Sequence, residues 1–488
     1  MNSLDASIWS KSYDLSVPLQ VLLANGQSLI CEEVVRAMPG RRYVCRGSYD
    51  GKPVFVKLFS NSKKAKREWQ SELSGIRALK AAGIYAPEII FSEISEKSDT
   101  HLIVYAELLA AESARQRWEQ GNETARQMLI MQLIELLSQH HAAGLRQSDC
   151  HLLNFVFSED ILYTLDASDI IVSGSPLSRN DSMNGFADLL GLLDAKYDDL
   201  LPGFYKYYWQ CRESETDDTE QEALMRKVIK LREYKLRKYL DKIYRNCSEF
   251  IAEKSWRKIL VRRRDADNNA LRELVNAPDE RLSDSQYSII KDGNTCKVSL
   301  IENSTQRFIC KRYNIKNAWH ALSRAFRESR ASCSWRNAHR LKKLNITTPQ
   351  PYALIEQRFG PIRRKAWLLM PYIDGTSGYD FFRDENKRNQ QHIAVSQFVS
   401  LFNKMLQAKL SHGDMKITNF IFSEDELFVI DLDSMRQHND DADFTKAFRK
   451  DMKRFMRNWD DLPEIAALFI EQLSPTAVAE YLPATIKG

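Results

Sequence analysis

No run of apolar residues in this sequence approaches the roughly 20 that cross a bilayer, which argues against a membrane-spanning helix. The first residues, MNSLDASIWSKSYDL, hold no signal-peptide core, so the expected location is the cytoplasm. No CxxC pair occurs among the eight cysteines (31, 45, 150, 211, 247, 296, 310 and 333). They are dispersed, and Cys45, Cys247, Cys296 and Cys310 sit in strand-like or helical runs, which implies reduced thiols behaving as small hydrophobes rather than disulfides or structural zinc. A strong charge imbalance is lacking too: 70 Lys and Arg against 65 Asp and Glu leave +5, too little to define a function. A content of 43% hydrophobic and 28% charged residues is that of an ordinary globular chain. At 488 residues it is long for one core, and about two to four domains are expected.

What the chain does contain is one stretch written twice. Asp149–Asp166, DCHLLNFVFSEDILYTLD, aligns without a gap to Asp414–Asp431, DMKITNFIFSEDELFVID, with nine identities in 18 positions. In each copy an Asp is followed by four residues and an Asn, and 12 residues later an Asp closes an apolar run. Phosphoryl transfer from ATP needs this spacing: an Asp (Asp149, Asp414) orients or deprotonates the attacking hydroxyl, while an Asn (Asn154, Asn419) and a second Asp (Asp166, Asp431) hold magnesium. Alternating Phe155–Phe157 and Phe420–Phe422, a Ser-Glu-Asp turn and a returning apolar segment read as a β-hairpin that brings the second Asp back to the first.

Such a loop requires a nucleotide-holding lobe before it. In the first copy Leu29–Val35 and Arg42–Arg46 read as strands, and Pro53–Phe59 (PVFVKLF) as an alternating strand carrying Lys57, whose role is to pair the α- and β-phosphates. In the helical stretch KKAKREWQSELSGIRALKAAG, Glu72 is the expected ion-pair partner of Lys57, with Glu68 one turn away as the alternative. Thr100–Tyr105 is a strand, Ala106–Leu109 the hinge that takes the adenine edge, and Thr124–His141 the helix that delivers the loop, with His140 and His141 as capping and dipole partners at its end. His151 stands where protein kinases have a lysine that touches the transferred phosphate; it either does similar work or faces solvent. A GxGxxG loop is missing. Only Gly40 is on offer, which leaves phosphate cradling to backbone amides and Arg41 or Arg42.

Between the copies, Asp181–Lys196 and Pro202–Gln210 read as helices. From Arg226 to Arg264 there are 15 Lys or Arg against four acids. This is either a long amphipathic helix with a solvated face or an electrostatic landing site for a phosphorylated glycolipid or membrane surface. The second lobe begins with Tyr287–Ile290 and Cys296–Ile301, and Gln306–Tyr313 (QRFICKRY) bears Lys311. A basic helix follows in which Ser334 takes the place of Glu72, with Glu328 the nearest substitute. Ala366–Met370 is the strand before the hinge Pro371–Gly375, and Gln391–Leu410 the helix that feeds the loop. His412-Gly413-Asp414 resembles the HRD of protein kinases, with Lys416 at the phosphate-contacting place. Neither copy continues into the Ala-Pro-Glu segment that shapes a peptide groove.

KRY around Lys311, SRAFRESRASCSWRNAHRLKKLNITTPQP, PYIDG, HGDMKITNF and VIDLDSM together make the second half similar to the lipopolysaccharide core sugar kinases, which phosphorylate heptose or Kdo and share the protein-kinase fold. The first half resembles them more loosely, through FVKLF, the helix with Glu72, GLRQSDCHLLNF and TLDASD. The resemblance implies Asp414 as base, Asn419 and Asp431 on magnesium and Lys311 on phosphate, with Asp149, Asn154, Asp166 and Lys57 in the same roles in the first copy. It also implies an α+β chain of two tandem protein-kinase-like bilobal domains, 1–215 and 283–488, joined by a basic helical connector, 216–282. The expected reaction is transfer from ATP, with Mg2+, to a lipopolysaccharide core sugar. The expected setting is cytoplasmic, with peripheral contact at the anionic inner face of the inner membrane and no nucleic acid partner. A protein Ser, Thr or Tyr kinase and a non-catalytic nucleotide- or lipid-binding regulator are the alternatives.

Overall fold

The computed structural model describes residues 2–3, 9, 15–95, 99–281, 287–293, 296–302, 306–314 and 328–483. The basic run 315–327, read above as the start of a helix, and most of the first 14 residues lie outside them. The chain divides into two units, Met1–Lys235 and Leu236–Gly488, and each is an α+β arrangement of a sheet-rich lobe followed by a helix-rich one. All eight cysteines are free. Among the described residues no helix is long and apolar enough to cross a membrane.

In the first unit Leu19–Leu22, Ser28–Met38, Arg42–Tyr49 and Lys52–Phe59 pair in sequence as antiparallel strands; Thr100–Ala106 then pairs with Lys52–Phe59, and Ile89–Ser95 lies at the edge. The period of two in PVFVKLF buries Val54, Val56 and Leu58 against Leu19, Val21, Leu29 and Cys31. Lys57 is thereby turned to the opposite face, toward helix α1 (Lys63–Ala81), which is capped by the Ser62 side chain accepting from the Ala65 amide. Helix α2 (Glu123–Ala142) buries Leu129, Ile130, Leu133, Ile134 and Leu137 at the centre of the helical lobe. It also buries His140 and His141, which corrects the expectation of them as helix-end caps. His140 Nε2 meets Thr164 Oγ1 at 3.0 Å and His141 Nδ1 meets the Tyr208 hydroxyl at 2.7 Å. Burial pushes both pKa values down, to about 4 and about 3, so both are neutral rings that complement no dipole.

Helix α3 (Asp218–Lys242) begins in the first unit, where Leu224 and Val228 join the core, and its last turns belong to the second. The expectation of one helix through residue 264 is corrected here. Phe250–Lys254 and Lys258–Arg263 are paired strands, and the latter pairs with Ala353–Phe359, so this segment is part of the second unit's sheet. Its apolar residues come as a continuous run, Ile259, Leu260 and Val261, two of them β-branched, rather than at helical spacing, and Asn246-Cys247-Ser248 interrupts the helix before it. Much of its charge is neutralised locally: Arg262 pairs with Glu253 and Asp267, Arg263 with Asp265, and Lys242 with Glu249.

The second sheet runs Phe250–Lys254, Lys258–Arg263, Ala353–Phe359, Ile362–Pro371, Arg307–Tyr313, Cys296–Glu302, Tyr287–Asp292. Helix α4 (Arg330–Lys343), capped by Ser329, packs beneath it. Helices α5 (Arg388–Gln407) and α6 (Asp441–Met456) build the second helical lobe around a dense aromatic core of Phe382, Phe398, Phe420, Phe455, Trp459 and Phe469.

Candidate active sites in two copies

The hairpin and the Asn of the duplicated stretch make the same hydrogen bonds in both copies. Each hairpin, Phe155–Ser158 with Ile161–Thr164 and Phe420–Ser423 with Glu426–Val429, turns on two left-handed residues, Glu159-Asp160 and Glu424-Asp425, the backbone that a tight two-residue hairpin demands. The Asn side chain donates to the carbonyl of the loop Asp five residues earlier, Asn154 to Asp149 at 2.9 Å and Asn419 to Asp414 at 2.8 Å. Its backbone carbonyl accepts from the amide before the closing Asp, Leu165 at 2.7 Å and Ile430 at 2.9 Å. The hairpin serine ties down the hinge, Ser158 Oγ to the Leu109 carbonyl at 2.7 Å and Ser423 Oγ to the Asp374 carbonyl at 2.6 Å. Asp166 and Asp431 both sit in the left-handed region, φ 51° and 61°, which turns their carboxylates back toward the sheet lysine.

In the first unit Lys57 Nζ lies 2.7 Å from Glu72 Oε1 and 2.7 Å from Asp166 Oδ1. Glu72, not Glu68, is thus the partner of Lys57; Glu68 pairs with Arg41. Glu72 is almost fully buried and also accepts from the Tyr105 hydroxyl at 2.8 Å and the Ser168 amide at 2.9 Å. Arg36 and Arg42, from the two strands that flank the Gly40 turn, reach the same Asp166 at 3.3 and 3.9 Å. Burial alone would raise the Asp166 pKa, but Lys57, Arg42 and Arg36 outweigh it and hold the carboxyl at about 2. Asp149 is exposed, and the His151 ring caps the short turn after it through the Leu153 amide.

The second unit solves the same problem with different residues. Lys311 Nζ meets Asp431 Oδ1 at 3.1 Å, and Lys416 Nζ meets Asp414 Oδ2 at 2.7 Å. Ser334 stands in the place of Glu72, bonded to the Tyr313 hydroxyl at 3.3 Å, and a hollow of about 20 Å³ remains between Lys311, Ser334, Thr348 and Asp431, the room of a single water. Glu328 does not fill it; it pairs with Arg336 and accepts from Ser332. The missing helix acid is offset from the other side: Asp433, two residues after Asp431, is buried and held by Arg330 of α4 at 2.5 and 2.9 Å. Burial and then the neighbouring Asp431 push the Asp433 pKa up. The loop is braced from below by Asp451 of α6, which accepts from the His412 and Gly413 amides at 2.5 and 3.0 Å.

Sequence reasoning passed over Arg330, Asp451, Arg36 and the first copy's Gln147. No spacing rule marks them, because their partners stand 18 to 130 residues away. It also passed over α6, whose exposed side chains from Lys446 to Arg457 (Lys446, Arg449, Lys450, Lys453, Arg454, Arg457) are all cationic; Asp451, an acid in that span, faces the catalytic loop.

For magnesium the donor set of the second unit fits. Asn419 has its amide nitrogen engaged, so its Oδ1 is the free end, and Asp431 is about a third exposed, giving the hard oxygen ligands that Mg2+ takes beside phosphates and water. Residues 280–472 match the family model described as "Lipopolysaccharide kinase (Kdo/WaaP) family", the family that this half of the sequence resembles. No curated protein matches the chain.

Proposed function

From the match of residues 280–472 to the lipopolysaccharide kinase (Kdo/WaaP) family model, we propose that the second unit transfers the γ-phosphoryl group of ATP to a hydroxyl of a heptose or Kdo sugar in the lipopolysaccharide core. The observation that carries this reading is the linkage of Lys311 to Asp431 and of Asp414 to Lys416 and Asn419, with the Asn419 carbonyl accepting from the Ile430 amide beside Asp431.

Asp414 accepts the proton of the sugar hydroxyl as the oxygen attacks. Lys416, 2.7 Å from that carboxylate, turns its charge to the phosphoryl group in transit. Lys311 holds the α- and β-phosphates of ATP, as Lys57 does in the corresponding place of the first unit. Charge neutralisation on the phosphate oxygens is the chemistry that magnesium supplies, held by Asn419 Oδ1 and Asp431. With little covalent work for the protein to do, most of the acceleration comes from positioning, which the Asp451 brace and the Asn419–Asp414 bond provide.

An acceptor anchored in a membrane and bearing phosphates suits α6. Its cationic row spans roughly 17 Å at 1.5 Å per residue, and its opposite face holds the catalytic loop through Asp451. Peripheral contact with an anionic membrane face is therefore assigned to α6 rather than to 226–264, where many of the cations are already paired.

Transfer of labelled phosphate from ATP to purified lipopolysaccharide core tests the reading. Wild type and Asp149→Ala are expected to label the glycolipid and Asp414→Ala to lose at least about 1,000-fold in rate, some 4 kcal/mol of transition-state stabilisation. No labelling by the wild type, or labelling of added protein instead, overturns it.

A further inference from the structure

The cations around Asp166 distinguish the first unit from the second. Among the described residues Asp431 has one ion-pair partner, Lys311, and its side chain is 36% exposed; Asp166 has three, Lys57, Arg42 and Arg36, and is 16% exposed. Both of its oxygens are engaged, Oδ1 by Lys57 and Arg42 and Oδ2 by Arg36. A divalent cation brought to this carboxylate would have to displace them and then sit among three positive charges. Asp166 and the expected metal role thus do not fit in the first unit.

The same three cations suit an anion. Arg36 lies two residues before the end of one strand and Arg42 begins the next, on either side of the Met38–Arg41 turn, and Lys57 comes from the third strand. Two guanidinium forks and an ammonium converge where a phosphate-cradling loop would stand, in a chain segment that lacks the glycines for one. Glu72 offsets Lys57 and holds it in place, and Asp166 occupies the anion's position until a stronger anion arrives. We propose that the first unit binds the polyphosphate of a nucleotide without a divalent cation, Arg36 and Arg42 neutralising the charge that magnesium neutralises in the second unit. The first unit is then a nucleotide-binding site beside a transferase, separate from the transfer reaction proposed above.

Binding of ATP to the full chain, measured calorimetrically in excess EDTA without any acceptor, tests this. ATP is expected to bind in EDTA, and Arg36→Ala, at an exposed position that leaves folding intact, to weaken that binding about tenfold or more, the loss of one charged hydrogen bond. Arg36→Lys restores part of it. Lys311→Ala leaves the EDTA-resistant binding unchanged, because it lies in the other unit. Tripolyphosphate competes if the phosphates are the part recognised. The proposal is overturned if binding vanishes in EDTA, if Arg36→Ala has no effect, if Lys311→Ala abolishes it, or if tripolyphosphate fails to compete. None of these outcomes depends on whether lipopolysaccharide is the acceptor of the second unit.

Discussion

Arg330 holds Asp433 at 2.5 Å in the second unit, where the first unit has Glu72 accepting from the amide of Ser168. The link between the helix and the loop after the hairpin-closing Asp is kept, while the acid has moved from the helix to the loop. Removing Asp433 strands a largely buried guanidinium, so Asp433→Ala is expected to lower stability by about 2 kcal/mol, less than for a fully buried pair because Arg330 is partly exposed. Urea unfolding of Asp433→Ala, of Arg330→Ala and of the Arg330→Ala/Asp433→Ala double mutant checks it. The double mutant should lose less than the sum by at least about 1 kcal/mol, and additive losses would refute the pairing as a structural unit.

Gly75 and Asn337 face the equivalent stretch of that loop in two ways. A Cβ on Gly75 would stand 2.1 Å from the Ala167 carbonyl, whereas Asn337 donates 2.9 Å bonds to the Leu432 and Met435 carbonyls. The obstacle at Gly75 is backbone and cannot swing aside. Gly75→Ala should destabilise the first unit by about 2 kcal/mol through overpacking, and Asn337→Ala the second by a similar amount through two lost hydrogen bonds. Thermal melts of the two variants read both effects; an unchanged Gly75→Ala melt would show that α1 can shift freely.

Gln147 and His412 perform one task with different side chains. The Gln147 amide donates to the Leu165 carbonyl at 3.3 Å, and His412 Nε2 meets the Ile430 carbonyl at 3.1 Å, in each case the residue before the closing Asp. The first copy therefore lacks the histidine before Asp149 without lacking its hydrogen bond. Gln147→Leu is expected to cost about 1 kcal/mol and Gln147→His to recover part of it, read by urea midpoint.

The neutral pair His140 and His141 makes the first unit acid-sensitive. Burial depresses both pKa values, with His140, Arg212 and Arg146 pressing His141 further. Between the unfolded value near 6.5 and the folded values the unfolded chain binds more protons, so stability falls as pH drops through this window and is recovered above it. At pH 5 each histidine accounts for up to about 2 kcal/mol. Urea unfolding at pH 7 and pH 5 measures the loss, and a first-unit transition equally stable at both would contradict it.

The duplicated loops, their hairpins, the pairing of Lys57 with Glu72, and the strand position of Lys311 were legible because each belongs to a local pattern: a fixed interval of residues, an alternating strand, a turn with two left-handed positions. The replacement of Glu72 by an acid on the loop, the task of Gln147 and the brace of Asp451 were not legible. Each is a partnership between residues far apart in the chain, and either side alone looks like an ordinary surface group.

The 226–264 segment shows the same boundary from the other side. Its charge was countable, but whether its apolar residues closed a helix or joined a sheet depended on the strand Ala353–Phe359, nearly a hundred residues away. The sequence by itself determined that one loop-and-hairpin arrangement is present twice, since spacing and side-chain chemistry are properties of the chain. Only the tertiary structure decided how each Asp at the end of the hairpin is neutralised, by one cation at Asp431 and three at Asp166, because electrostatics depends on distance in space and not on distance along the chain.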